Sequence, residues 1–418
     1  MKLYLTGLIT LALLLQQCSQ KQTDDITPDV EQPVQATYQV EYSANTVVID
    51  DAGVKTLTKA DITTGVYTFR NPPEAVTKLE VGQIVLLSGN SLRKVTSVQR
   101  SGSDVTVQTQ PAALTEAIQN GIIAYDTDFR WTSAQAGGRV GATAGVQEWS
   151  RELTYSGTIA GWNTEMKLTP TPDTLRINLK LVKKVGGQDA AVVRAEGWLS
   201  NFQQHTDIRI QNGELTSFVH ENRNLKGQIE VKFAAVQNAS NVQATISVPA
   251  ELSFPIRVGP IPMSLNIGLV AKVIPQLFGE SSSEGSFKLT YDSDLGFAVR
   301  DGAPESRSAL RNPLYLLTGK TGSAGFEAVG FGVGLEFPKI SLRILGGIVV
   351  PSLVVNTAVY SVFEPPYGGG LTAACQEGDI SIKAEAGVEL SVLSLSYQPV
   401  QITLFNDRKT WKEGSCPP

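Results

Sequence analysis

The stretch Glu251–Phe278, ELSFPIRVGPIPMSLNIGLVAKVIPQLF, decides how the chain is read. It is mostly apolar and is cut by Pro255, Gly259, Pro260, Pro262 and Pro275. Each proline lacks a backbone N–H and clashes with the preceding turn, so prolines this closely set exclude a helix interior. Leu265, Ile267 and Leu269 then alternate with Asn266, Gly268 and Val270, the period of a strand leaving a rigid extended corner.

The same period of two recurs on both sides. Leu175, Ile177, Leu179 and Leu181 alternate with Arg176, Asn178 and Lys180. Ile229, Val231 and Phe233 alternate with Glu230 and Lys232, and Val242, Ala244, Ile246 and Val248 with Asn241, Gln243, Thr245 and Ser247. Ile380, Ile382, Ala384, Ala386, Val388 and Leu390 alternate with Ser381, Lys383, Glu385, Gly387 and Glu389; past Val392 the apolar parity shifts to Leu393 and Leu395, the mark of a bulge or corner. So many alternating segments predict antiparallel sheet with one wet face. Residues 344–363, ILGGIVVPSLVVNTAVYSVF, have the length of a membrane helix. Pro351, Asn356, the paired glycines and dense β-branching argue instead for two buried strands with a turn near Pro351. Residues 300–325 are the longest polar break and read as a surface loop with one helical turn.

Residues 36–130 read as one small β module. TYQVEYSANTVVID, VYTFR and VGQIVLLSG are strand-like, and LRKVTSV and DVTVQT flank RSGS as a hairpin. Pro111 opens PAALTEAIQNG, a short helix with Leu114 and Ile118 on one face and Gly121 beyond its end. Residues 131–148, rich in Gly, Ala and Thr, read as a linker. The expected fold is therefore all-β, a small N-terminal β-sandwich or barrel followed by a larger antiparallel β domain over 149–418. The run from GQI through LRKVTSV to VTVQTQPAALTEA is similar to a module of uncharacterised bacterial exported proteins, a resemblance that implies a domain and no chemistry.

The chain has 418 residues, 42% hydrophobic and 18% charged, with 38 Gly, which suits turn-dense β structure in two or three domains. A net charge of -5 argues against nucleic acid, whose phosphates need clustered Lys and Arg. Lys2 precedes LYLTGLITLALLL, an apolar run too short to span a bilayer, and Cys18 follows directly. This arrangement resembles a bacterial lipoprotein signal over 1–18, which implies that Cys18 becomes the lipidated first residue. Leu15 fits that motif, and Gln16 and Gln17 depart from it. Ser19 resembles the outer-membrane sorting pattern, so the expected location is the outer membrane or cell surface. Residues 19–35 are almost without apolar residues and read as a disordered tether. Cys375 and Cys416 are the cysteines left, and an even pair outside the cytosol implies a disulfide. Closing a loop of about 40 residues would contribute roughly 4 kcal/mol.

Three fragments mimic a penicillin-recognising enzyme: Ser91-Leu92-Arg93-Lys94, Ser264-Leu265-Asn266 and Lys320-Thr321-Gly322. That chemistry needs Ser91 at a helix start, whereas LRKVTSV reads as a strand that would turn Ser91 and Lys94 to opposite faces. Gly319-Lys320-Thr321 lacks the earlier glycine of a phosphate loop, because Leu314 stands there, and no nucleophile elbow is present. Tyr125-Asp126-Thr127-Asp128 and Tyr291-Asp292-Ser293-Asp294 carry alternating aspartates. Such residues bond their own turn backbone, coordinate calcium, or act as a paired glycosidase acid and base. Asp126, Asp128, Asp292 and Asp294 are thus weak calcium candidates. His205 and His220 lie in polar surroundings without metal-ligand spacing. Trp131, Trp149, Trp162, Trp198 and Trp411 either pack in a core or stack on sugars.

Three functional classes follow. The first is a non-enzymatic lipoprotein of the cell envelope, held to the membrane by its lipid and binding a protein, glycan or matrix. The second is a carrier of an apolar ligand or lipid, suggested by the apolar runs 251–271 and 344–363. The third is a carbohydrate-active hydrolase using the Asp pairs. No cofactor is implied.

Overall fold

The proline-cut stretch folds as a hairpin. In the computed structural model, Ala250–Val258 pairs antiparallel with Ile261–Gln276 about a turn at Gly259 and Pro260, where a corner was expected. Gly259 has φ +59°, and a Cβ there would lie 2.6 Å from the Tyr38 ring, so both the turn and the close approach require glycine. Pro255 sits inside its strand, opposite Ser264. The strand on its other flank, Gln135–Gly138, reaches only Ala250–Ser253, so the missing N–H interrupts no ladder there. The residues described are 35–61, 64–131, 135–138, 152–236, 244–276, 282–300, 302–318, 322–324, 330–345, 347–352, 376–388 and 400–413.

The protein is all-β. The largest sheet has the order Gln35–Tyr42, Ile118–Phe129, Phe202–Gln211, Glu214–Val236, Gln188–Ser200, Thr174–Val185, Trp162–Pro170, Leu153–Ile159. Ser282–Arg300 runs along the other flank of Glu214–Val236 and carries Ala303–Ser306, Ala309–Leu317 and Gly322–Ala324. A second sheet has the order Val400–Glu413, Gln376–Val388, Gly347–Ser352, Gly330–Ile344, Ile261–Gln276, Ala250–Val258, Gln135–Gly138, with Ala244–Ser247 beside Ile261–Gln276.

Alternate residues of both sheets build one core, Leu179, Val231 and Leu289 from the first and Leu252, Leu265, Leu342 and Ile382 from the second. An aromatic cluster joins them. The Phe129 ring lies 4.6 Å from Phe202 in its own sheet and 4.5 Å from Phe254 in the other, with Trp131 packed on its edge at 5.2 Å. Each such buried ring contributes about 2–3 kcal/mol through area removed from water.

A third sheet, ordered Thr46–Ile49, Ile84–Leu87, Ser91–Ser101, Asp104–Pro111, Val66–Arg70, Leu57–Asp61, has its own core of Tyr67, Phe69, Val76, Leu79, Val85 and Val107. The expected hairpin is present, with Ser101 opposite Asp104 and Gly102 at φ +57°. Ser91 and Lys94 lie on that strand and not on a helix. The module is smaller than its sequence range. Gln35–Tyr42 and Ile118–Phe129 pair with each other and enter the largest sheet through Phe202–Gln211. The helix near Pro111 is one turn, Leu114–Ala117, and Ile118 already belongs to a strand. The module also meets the hairpin tip, where Arg257 Nη2 donates to Asp51 Oδ1 at 2.7 Å and to Ser88 Oγ at 2.9 Å.

Three further expectations are corrected. The linker 131–148 contains the strand Gln135–Gly138, small residues being enough for a flanking ladder. The loop 300–325 contains three strands, because polar side chains sit well on the flank of Ser282–Arg300 when cross-strand partners such as Asp292 and Arg311 meet. The turn expected near Pro351 lies at Leu345, φ +54°, and Pro351 pairs with Ala386. No described helix is long and apolar enough to cross a membrane. Cys18, Cys375 and Cys416, the signal segment, the tether and the parity shift past Val392 lie outside the described residues.

Candidate functional site

A break in one strand shapes the wet face of the largest sheet. Within Glu214–Val236, Phe218, His220 and Asn222 point inward, and after the irregularity at Asn222–Leu225 the inward set becomes Leu225, Ile229, Val231 and Phe233. Asn224 takes φ +60°, a conformation asparagine tolerates, and its N–H donates to Asp294 Oδ1 at 2.8 Å. Phe202–Gln211 pairs before the break and Gln188–Ser200 after it, so the sheet divides there into two fields.

The first field carries the Asp126 groove, about 460 Å³, lined by Gln35, Asp126, Asp128, Arg130, His205 and Arg223. Both aspartates stand on the strand Ile118–Phe129 with buried Tyr125 and Thr127 alternating between them, so they are strand residues and not turn residues. Register brings His205 opposite Asp126 and Gln203 opposite Asp128. His205 Nδ1 lies 2.9 Å from Asp126 Oδ1, Gln203 Nε2 donates to Asp128 Oδ1 at 3.1 Å, and Arg223 Nε donates to Glu221 Oε2 at 2.7 Å.

Asp292 and Asp294 also stand on a strand, Ser282–Arg300, and both accept from Arg311. Arg311 Nη2 is 2.8 Å from Asp292 Oδ1. The Arg311 hydrogen bonds, helped by the Asn224 N–H, hold the Asp294 carboxyl below the usual range against the opposing effect of burial. The two Asp pairs are not brought together, being separated by Phe202–Gln211 and Glu214–Val236. Among the described residues no group of three or more His, Cys, Asp or Glu is placed to hold a metal.

Behind the Asp126 groove lies a buried polar chain. Tyr125 OH donates to Gln204 Oε1 at 2.9 Å, Gln204 Nε2 donates to Asn222 Oδ1 at 3.1 Å, and Thr206 Oγ1 lies 2.9 Å from His220 Nδ1. His220 is wholly buried, where its sequence neighbours suggested a polar setting. Burial, with a smaller push from His205, drives its pKa down to about 3, so the ring is neutral at pH 7. The signal in the sequence is its parity, two residues from Phe218 and two from Asn222.

The second field carries the Trp198 groove, about 540 Å³. One cross-strand row reads Thr169, Arg176, Trp198, Gln228, Thr290, and the next reads Lys167, Asn178, Glu196, Glu230, Lys288. Glu230 pairs with Lys232 and Lys167 with Glu152. The side chains of Arg176, Asn178 and Gln228 have no hydrogen bond or ion pair among the described residues. Trp198 is half-buried there, whereas Trp131 and Trp162 are core residues and Trp149 lies outside the described residues. Nothing in the sequence singles out Arg176, Asn178 and Gln228 beyond their places on the wet face.

What the fold and these grooves define is an all-β protein with two polar grooves on one sheet face. The sequence model of a family described as a domain of unknown function (DUF8403) matches residues 31–120, which takes in the N-terminal sheet and neither groove in full. No curated protein and no solved structure matches the chain.

Proposed function

We propose that this chain is an exported, lipid-anchored β protein of the cell envelope that works by binding, with Cys18 as its anchor and Cys375 bonded to Cys416. The observation that supports binding is the state of the aspartates. General acid–base catalysis needs a carboxyl group free to reach a reacting atom and poised to exchange its proton. Asp292 and Asp294 are instead clamped by Arg311, and Asp126 and Asp128 are engaged by His205 and Gln203 on a rigid ladder. The Asp126–His205 contact favours the hydrolase as a second reading, since a carboxylate that orients an imidazole is the frame of a general base.

The test is the full chain in mild detergent, assayed on glycans, esters and peptides beside Asp126→Asn and Asp292→Asn. Binding predicts no turnover in any of the three proteins. Turnover abolished by either substitution replaces the binding reading with the hydrolase. The anchor is tested separately, because Cys18→Ala should end fatty-acid labelling and release the protein from membranes. Two titratable thiols in a denatured, unreduced sample would rule out the Cys375–Cys416 bond.

A further inference from the structure

We propose that the Trp198 groove is a subsite for an uncharged sugar ring. The inference deepens the binding reading and rests on it. Its first support is unused hydrogen-bonding capacity. In the Asp126 groove the aspartates, His205 and Arg223 already have side-chain partners. In the Trp198 groove three side chains have no partner among the described residues: the guanidinium of Arg176, the amide of Asn178 and the amide of Gln228. Together they offer donors and acceptors, which is what a ring bearing several hydroxyls needs.

The second support is the platform. Trp198 lies directly between Arg176 and Gln228 in register, so planar polar groups stand on both sides of an indole whose apolar face suits the C–H face of a pyranose. Gly197 fixes that platform closely, since a Cβ there would come within 2.3 Å of the Gln228 carbonyl oxygen. A ladder-held indole loses little freedom on binding.

The third support is charge. The groove is lined by two cations, Lys167 and Arg176, and two carboxylates, Glu196 and Glu230, which cancel. An acidic sugar would face the two glutamates, and a cationic ligand the lysine and arginine. A neutral ring meets neither penalty.

The experiment uses the full chain in mild detergent and calorimetric titration with cellohexaose, maltohexaose and mannohexaose, with hexagalacturonate as the acidic control. At least one neutral hexasaccharide should bind, and hexagalacturonate should bind more weakly. Trp198→Ala should weaken binding at least tenfold, the loss expected of a central aromatic contact. Trp198→Phe should retain part of the affinity, and Asn178→Ala and Gln228→Ala should each lose several-fold. Asp126→Asn should bind as the parent does. Unchanged thermal midpoints verify folding, and if Trp198→Ala does not fold, Trp198→Phe and Gln228→Ala carry the test. The proposal is overturned if no neutral hexasaccharide binds, if these variants bind like the parent, or if hexagalacturonate binds best. Sugar binding that ignores Trp198 leaves the binding reading standing with its site elsewhere. Asp126-dependent hydrolysis removes the binding reading whatever Trp198 does.

Discussion

The Asp126 groove and the Trp198 groove lie on the same sheet face and both mix charged with amide side chains, yet they differ in how those side chains are spent. In the first, the carboxylates are hydrogen-bonded within the protein: aspartate by histidine or glutamine, glutamate by arginine. In the second, Glu230 and Lys167 pair at the margins with Lys232 and Glu152, while Arg176, Asn178 and Gln228 stand about an indole without side-chain partners among the described residues. A conspicuous charged motif is therefore a poor guide to a binding site. Aspartates alternating along a strand fall where a neighbouring strand can supply partners, and those hydrogen bonds take up part of the capacity a ligand would use.

That contrast can be broken or sharpened by substitution. The largest effect belongs to the packing behind the paired groove. Phe254→Ala removes the ring that joins the two large sheets at Phe129 and Trp131, and should cost about 3–5 kcal/mol in denaturant unfolding. A cost below about 1 kcal/mol would show that the sheets are joined mainly elsewhere.

The next effect is a pH dependence. An unfolded histidine binds its proton near pH 6.5, and folded His220 does so only near 3. Between those values the unfolded chain holds more protons, so acid destabilises the fold. The loss starts below about pH 6.5 and amounts to about 2 kcal/mol by pH 5, with nothing lost above that window. His220→Gln keeps polar atoms for Thr206 and removes the proton, so its stability should fall less steeply from pH 6.5 to 5. Equal slopes in the two proteins would mean that water reaches His220.

Smaller effects separate the aspartates. Arg311→Ala leaves Asp292 and Asp294 facing each other, and should cost about 1 kcal/mol, the pair being partly solvated. Asp294 is held low by Arg311, so its contribution exists at neutral pH and is lost as pH falls through its folded pKa. In the variant its carboxyl titration, followed by NMR, should rise toward the ordinary value of about 3.9. Asp126→Asn is the mildest change. The Asp126–His205 contact is open to solvent, so the urea midpoint should shift by less than about 0.5 kcal/mol in stability. A larger cost would make that pair structural.

By itself the sequence determined the all-β class, the hairpin at Ser101 and Asp104, and the inward residues of segments such as Leu175–Leu181. These rest on period-two alternation and turn chemistry, which act between near neighbours. It also marked Trp198 as one of five indoles able to stack on a sugar, without separating it from the core indoles Trp131 and Trp162. Only the tertiary structure decided that Gln35–Tyr42 and Ile118–Phe129 leave the N-terminal sheet for the largest one, and that 300–325 forms strands. It also decided that a parity switch at Asn222–Leu225 divides one face into two fields. Alternation states which way a side chain points and nothing about which strand lies beside it. His220 and Thr206 meet across a hairpin of consecutive strands, but Asp126 and His205, and Trp198 and Gln228, meet only through ladders between strands that do not follow one another in sequence, so the pairing that engages one groove and leaves the other open belongs to the fold.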